Sequence, residues 1–277
     1  MPRIFLIGIA LLGAGWAQSL PFEPAHDSGQ GITGAFEGWF PNPDGTFSLL
    51  LGYYNRNQKQ TIEIPTGPNN RIEPKGPDRG QPTHFLPARQ WGVFTITVPK
   101  DFGEKKLTWT LVANGKTAVI PVSLHPMYEV QPFMEASGNT PPFIAFSEAG
   151  PFVQGPRGQS RAMETTVEKP VTLALWLADD AKSVLVTQRA LGSPVTVAWS
   201  KFRGPGTVTF ANPRQPVEKA AFKAPAPAVF SGTAITTATF SEAGEYVLRV
   251  VANDWSGDGG RGFQCCWTNA QVKVTVK

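Results

Sequence analysis

The stretch Leu107-Thr108-Trp109-Thr110-Leu111-Val112-Ala113, then Asn114-Gly115, then Lys116-Thr117-Ala118-Val119-Ile120-Pro121-Val122-Ser123-Leu124 reads as two strands joined by a tight turn. Strand-favouring residues flank an Asn-Gly pair on both sides. Asn and Gly tolerate the positive φ that a two-residue hairpin turn demands. Upstream, Gly92–Val98 is a third strand, joined through the turn Pro99–Gly103. Further back, Thr46–Asn55 places Phe47, Leu49, Leu51 and Tyr53 on one face, while Leu50 and Tyr54 make the other face apolar too. Such a strand is expected to be covered on both sides. Asn42-Pro43-Asp44-Gly45 before it is a turn, because Pro fixes φ and Gly supplies the positive-φ corner.

Composition agrees with short strands and frequent turns. The chain has 277 residues, of which 28 are Gly and 26 Pro. That is about a fifth of the chain, well above the usual share of roughly 12%. Charged residues are only 17%, and 41% apolar with 11% aromatic is enough to build cores. These values argue against a helical bundle, a coiled coil, an α/β enzyme with long helices, and a disordered chain. The net charge of +4 is spread along the chain. A nucleic-acid surface needs clustered cations, so no nucleic-acid partner is expected.

Residues 1–17 have their own logic. Arg3 precedes the apolar run Ile4–Ala17, which ends in Gly13-Ala14-Gly15-Trp16-Ala17. A cationic start, a short apolar stretch and small residues at −3 and −1 read as a secretory signal cleaved after Ala17. The run is shorter than the roughly 20 residues of a spanning helix. The expected mature chain is therefore exported, periplasmic or extracellular, with no transmembrane segment.

Residues 18–30 are polar and expected to be loose. The span 31–130 reads as a first β-sandwich, with a strand at Thr61–Ile64 and a Pro-rich excursion at 65–90. The span 131–160 reads as a Pro/Gly-rich connector and the start of a second unit. In 161–277, strands are expected at Val171–Ala178, Val195–Ser200, Thr207–Phe210, Ala234–Phe240, Glu245–Asn253 and Ala270–Val276. The last turns Val272, Val274 and Val276 inward and Lys273, Thr275 and Lys277 outward. Asp179–Leu191 is the one stretch where a short helix is considered, and 211–232 mirrors 65–90 as a loop excursion. Both halves end alike, with Gly-Glu, a strand reaching Val-Ala-Asn or Val-Val-Ala-Asn, and a final strand. The fold class expected is all-β, with two tandem antiparallel β-sandwiches.

Val195-Thr196-Val197-Ala198-Trp199-Ser200, Gly204-Pro205-Gly206-Thr207-Val208-Thr209-Phe210 and Thr237–Arg249 through Asn253-Asp254 resemble the PKD-like and immunoglobulin-like repeats of exported bacterial proteins. The likeness covers the C-terminal half. The N-terminal half resembles uncharacterised bacterial exported proteins. The resemblance implies spacer, adhesion or protein- and glycan-contacting roles, and no catalysis. It departs from the pattern in the long excursion 211–232 and in the loop ending Phe263-Gln264-Cys265-Cys266-Trp267. The residues agree with it independently. Tyr246 opens the penultimate strand after Gly244, where immunoglobulin-type sandwiches carry a corner tyrosine. Leu248 stands where antibody domains place a Cys, so Leu175, Trp199 and Leu248 are expected to fill mid-core in place of a disulfide.

Candidate chemistry is sparse. Cys265 and Cys266 are the only cysteines. Neighbouring Cα atoms sit about 3.8 Å apart across a trans peptide, while disulfides prefer roughly 4.4–6.8 Å. Free thiols, a vicinal disulfide, and metal or intermolecular bonding all stay open. Asp254-Trp255-Ser256-Gly257-Asp258-Gly259 opens like a calcium loop, with oxygen ligands Asp254, Ser256 and Asp258, yet Cys265 stands where such loops place a bidentate Glu. His125, Met127 and Met134 are a sparse soft-metal set. No cofactor is expected beyond that calcium reading. No catalytic motif or local triad appears, so the chain is expected not to be an enzyme. In the first half, Trp39-Phe40, Tyr53-Tyr54, Asn55-Arg56-Asn57, Asn69-Asn70-Arg71, Asp78-Arg79, Gln81, His84 and Phe85 mix aromatics with amides and arginines. Of these, Trp39, Tyr53, Tyr54, Asn55, Arg56, Asn57, Arg79 and His84 are candidate binding residues, together with Trp255 and Trp267, for a protein or glycan of the cell envelope. The competing reading is that a long ordered loop needs such residues to satisfy its own backbone. Two alternatives to a non-catalytic contact protein are a metal- or redox-active protein using the Asp254–Cys266 loop and an accessory subunit of an envelope complex.

Overall fold

The computed structural model describes residues 26–74, 76–136, 138–182, 193–254 and 265–277. Strands β1 (Ile32–Pro41), β2 (Phe47–Asn55), β3 (Ile62–Glu63), β4 (Asn70–Glu73), β5 (His84–Phe85), β6 (Ala88–Val98), β7 (Lys106–Ala113) and β8 (Lys116–Ser123) form the first half. Then come β9 (Phe143–Ala145), β10 (Gln159–Thr165), β11 (Val171–Asp179), β12 (Thr196–Arg203), β13 (Val208–Phe210), β14 (Glu218–Lys219), β15 (Phe230–Phe240), β16 (Gly244–Asn253) and β17 (Trp267–Val276). Among the described residues the only helical element is one 3-10 turn, Pro126–Tyr128. The described residues are all-β, built as tandem β-sandwiches.

In the first sandwich, sheet β1-β2-β6 and sheet β4-β7-β8 share one core, with the small β3-β5 pair beside them. Leu49 and Leu51 from one sheet meet Ile72, Trp109 and Leu111 from the other. Phe94 and Trp109 touch edge to face at 5.3 Å. The β7–β8 hairpin turns at Asn114 and Gly115 with φ +48° and +73°, as the Asn-Gly pair dictates. In the second sandwich, β13-β15-β11-β9 packs on β10-β17-β16-β12. Leu175, Trp199 and Leu248 lie together in its core, and Val272, Val274 and Val276 point inward. Tyr246 makes the corner. Its hydroxyl donates to Glu242 O (2.9 Å) and accepts from Gly206 N (3.0 Å). Gly204 sits at φ +139° with the Tyr246 ring where a Cβ would go.

Several sequence expectations need correction. The excursion 65–90 is not all loop: Asn70–Glu73 pairs with β7 and His84–Phe85 with β3. Ile72 alternates with charged neighbours and is fully buried, a pattern too short to read between prolines. The excursion 211–232 likewise holds β14 and the start of β15. One ladder is parallel, β10 with β17. These strands are far apart in sequence, so no tight turn imposes the antiparallel sense. Asp179 closes β11 instead of opening a helix, and residues 183–192 lie outside the described residues.

Both faces of β2 are covered, but by different partners. Leu49 and Leu51 face the first core, while Leu50 joins Phe40, Val130 and Trp267 in a small cluster. Trp267 comes from β17, so this cluster joins the two sandwiches. Phe202 from β12 is likewise buried against the first core. The two main cores remain separate, and the junction between them is apolar at its centre.

Candidate functional site

The candidate residues of the first half are placed by β1, β2 and the loops that cover them. Trp39 is buried, and its Nε1 donates to His125 O (2.9 Å). Tyr53 is buried edge-on against Phe85, and its hydroxyl accepts from Leu86 N (2.8 Å). Burial pushes its phenol pKa up. Asn55 Nδ2 donates to Gln60 O and Phe85 O, and its Oδ1 accepts from Asn57 N and Nδ2. Asn57 also bonds both backbone groups of Gln30. Asn70 Nδ2 donates to Ile64 O and Pro82 O, while its Oδ1 accepts from Trp109 Nε1 at 3.0 Å. Gln81 ties Pro77 O, Asn70 O and Arg79 N. Arg79 Nη2 donates to Pro74 O at 2.6 Å. These side chains satisfy the backbone of the covering loops. Tyr54 and Arg56 differ, since both stand exposed on the surface. Trp39 lies at the other end of β1 from the Asn55–Asn57 group, so the structure does not bring the whole set together. A shallow groove of about 410 Å³ opens between residues 62–69 and the hairpin tip 112–114.

His84 Nδ1 lies 2.6 Å from Glu63 Oε1, and Lys201 Nζ from the second sandwich reaches the same oxygen at 2.6 Å. Burial alone would raise the Glu63 carboxyl. Hydrogen bonds from His84 and Lys201 outweigh it and hold the group below the usual carboxylate range. Lys201 also donates to Gly206 O (2.8 Å). Nearby, Arg203 makes a two-pronged pair with Asp78 at 2.9 and 2.8 Å and donates to Gln81 O at 2.7 Å.

The other side of the junction is polar and more deeply buried. Glu37 accepts from Arg89 Nη2 (2.6 Å) and Gly92 N (2.7 Å). Burial pushes its carboxyl up despite both donors. Arg89 lies over the Trp91 ring at 3.9 Å. From the second sandwich, Arg249 Nη2 and Asn269 Nδ2 both donate to Gly92 O, at 3.1 and 2.8 Å. Gly92 has φ +51°, and an added Cβ would meet the Trp267 ring at 2.1 Å. The sandwiches are thus joined by charged and amide contacts, Lys201 with Glu63, Arg203 with Asp78, and Arg249 and Asn269 with Gly92, beside the buried Trp267. Sequence reasoning missed Glu37, Glu63, Lys201, Arg203, Arg249 and Asn269. Each sits singly in an alternating strand and reads there as an ordinary solvent-facing residue.

The C-terminal loop candidates divide. Trp255, Ser256 and Asp258 lie outside the described residues. Trp267, expected as a contact residue, is 1% exposed. Cys265 and Cys266, also buried, are joined as a vicinal disulfide with Cα atoms 3.2 Å apart across a cis peptide bond. Cys266 Sγ is 3.4 Å from Asn139 O. Asp254 is fully buried, and its Oδ2 accepts from Asn139 Nδ2 at 2.5 Å. Among the described residues no three His, Cys, Asp or Glu side chains are grouped to hold a metal ion.

No family model matches the chain, and no curated protein matches it. Among solved structures it is similar to a protein of unknown function from Porphyromonas gingivalis W83, at 10% identity and TM-score 0.24, covering 89% of this chain and 100% of that one. It is also similar to domains 4 and 5 of the S-layer protein SbsC, at 12% identity and TM-score 0.23, covering 89% and 98%. The D00-D0 domain of intimin matches at 10% identity and TM-score 0.27, covering 88% and 99%. Likeness at this level extends to neither activity nor partner.

Proposed function

We propose that this chain is a non-catalytic, exported contact protein that presents a rigid pair of immunoglobulin-like sandwiches, the second PKD-like, to a protein or glycan of the cell envelope. The observation that carries this reading is an apolar ridge on the segment between the sandwiches. Met127, Tyr128 and Met134 are 85%, 53% and 60% exposed, and Phe133 is 41% exposed. Tyr128 and Phe133 are seated on Phe36 and Phe40 of β1 at 5.5 and 5.4 Å, so the ridge has a fixed base. Single exposed apolar residues are ordinary, but a run of them on an ordered segment marks a contact surface. Methionines adapt to varied partners. Elsewhere the polar side chains near the junction are engaged with one another and with the fold's own backbone, which favours contact over chemistry. Export is supported by the leader-like residues 1–17.

The test is binding of envelope extract and of a glycan panel to the immobilised mature chain. The comparison is a Met127→Ser/Tyr128→Ser/Met134→Ser variant with an unchanged melting curve. The reading expects a saturable ligand that the variant loses. Equal binding by both proteins, or turnover of a substrate by the wild type, overturns it.

A further inference from the structure

The chain has four methionines, and one of them, Met1, falls in the expected leader. The other three sit in unlike surroundings. Met163 of β10 is half-buried and packs against the second core. Met127 and Met134 are 85% and 60% exposed, and both stand on the apolar ridge. The backbone beneath them is held. Met127 lies in the 3-10 turn, and its N–H donates to His125 Nδ1 at 3.3 Å. Tyr128 beside it packs edge-on against Phe36 and His125, at 5.5 and 5.8 Å. Phe133, next to Met134, is seated on Phe40 and against Gly155, where an added Cβ would meet its ring. The aromatic rings are anchored on the protein, and the methionines beside them stay in solvent. The chain offers no thiol as a competing target for an oxidant, because its two cysteines are already joined as a buried disulfide.

An exposed thioether is open to hydroperoxides. The sulfur lone pair attacks the distal oxygen, the O–O bond breaks and an S–O bond forms. Sulfur is oxidised by two electrons and the peroxide is reduced. The departing oxygen takes up the proton of the transferred OH and leaves as water or an alcohol. A flexible apolar side chain becomes a polar, chiral sulfoxide, and sulfoxide reductases reverse the change. Pressed into an apolar partner, the new oxygen is an acceptor buried without a donor, which is costly. We propose that Met127 and Met134 form a peroxide-sensitive modification site, whose sulfoxides turn the ridge from apolar to polar and weaken its contacts. This inference rests on the ridge being the contact surface proposed above.

The test treats the mature chain with dilute hydrogen peroxide and maps its peptides by mass spectrometry. Met127 and Met134 should gain oxygen roughly tenfold or more faster than Met163, since exposure sets susceptibility. Retention on a phenyl matrix then reads the ridge. The untreated chain should be held longer than the oxidised chain, with the same melting curve. It should also be held longer than the Met127→Ser/Tyr128→Ser/Met134→Ser variant. Met127→Leu/Met134→Leu keeps the apolar bulk without the sulfur, so its retention should not respond to peroxide. Met163 reacting as fast as the other two overturns the proposed site. Unchanged retention after full oxidation, or an equal loss in the leucine variant, overturns the effect on the ridge while the contact reading stands. Equal retention of untreated wild type and serine variant overturns both, because the ridge is then not an apolar contact surface.

Discussion

Beneath its covering loops the first sandwich buries neutral amides, Asn55, Asn57, Asn70 and Gln81, each bonded to the backbone that covers it. The far end of the second buries Asp179, Asp180 and Asp254. An amide brings both a donor and an acceptor and carries no charge. It can satisfy exposed carbonyls in a loop and stay indifferent to pH. A carboxylate only accepts, so it needs N–H groups, a proton or a cation, and its burial is sensitive to conditions. The two halves share an architecture, yet one end is chemically inert and the other is conditional.

The largest effect that sharpens this contrast is in the apolar interior, where both halves should behave alike. Leu248→Ala removes a fully buried side chain beside Val250 and Trp199 in the second core. It should cost about 2–5 kcal/mol, read as a lowered urea midpoint. Loss of well under 1 kcal/mol would mean that this core can collapse around the gap. Asn70→Leu tests the amide side of the comparison. It strips the donors from Ile64 O and Pro82 O and the acceptor from Trp109 Nε1, all in buried surroundings. The expected cost is about 2–4 kcal/mol, the same at pH 5 and pH 8. A pH-dependent cost would show that the first sandwich is not inert after all.

The carboxyl side makes the opposite prediction. The Asp179 carboxyl is pushed up to about 8, first by burial and then by Asp254. The folded state therefore holds a proton that the unfolded chain releases near pH 4. Stability of the protein should fall as pH rises from about 4 to 8 and then level off. Asp179→Asn cannot ionise, so it should flatten that slope and raise stability at pH 8 by several kcal/mol, up to about 5. Parallel slopes for the two proteins would remove Asp179 as the source.

The strands were legible where alternation ran long enough and the turn residues were unambiguous. Asn114-Gly115 and the Val272-Val274-Val276 run are examples, and Tyr246 after Gly244 located the corner. What stayed hidden was set by partners distant in sequence. Ile72 looks like one apolar residue in a polar loop until β7 lies beside it. Arg249 and Asn269 look solvent-facing until Gly92 of the other sandwich reaches them. Trp267 reads as a ligand platform by type, but its ring is claimed by Phe40, Leu50 and Val130. The acidic end carried a signal that went unread. Two consecutive acids, Asp179-Asp180, close an otherwise apolar strand, and a strand of that kind ends in the interior. The amides of Asn55 and Asn57 were legible as residues but not in role, because recognition and backbone satisfaction draw on the same side chains.

The junction supplies the smallest effect and the finest test of the comparison, because its charges differ in burial. Arg203 and Asp78 form a two-pronged pair, but Asp78 is 52% exposed and water screens it. An Arg203 hydrogen bond to it holds the Asp78 carboxyl low. Asp78→Asn should therefore cost no more than about 0.2–1 kcal/mol, and about 1 M salt should erase the difference, since screening acts on exposed pairs. Gly92→Ala works at the same junction without any charge, driving a methyl into the Trp267 ring at a positive-φ position. Its cost of about 1–3 kcal/mol should persist in salt. If both losses vanished in salt, the sandwiches would be held by charge, and the apolar cluster around Trp267 would not be what joins them.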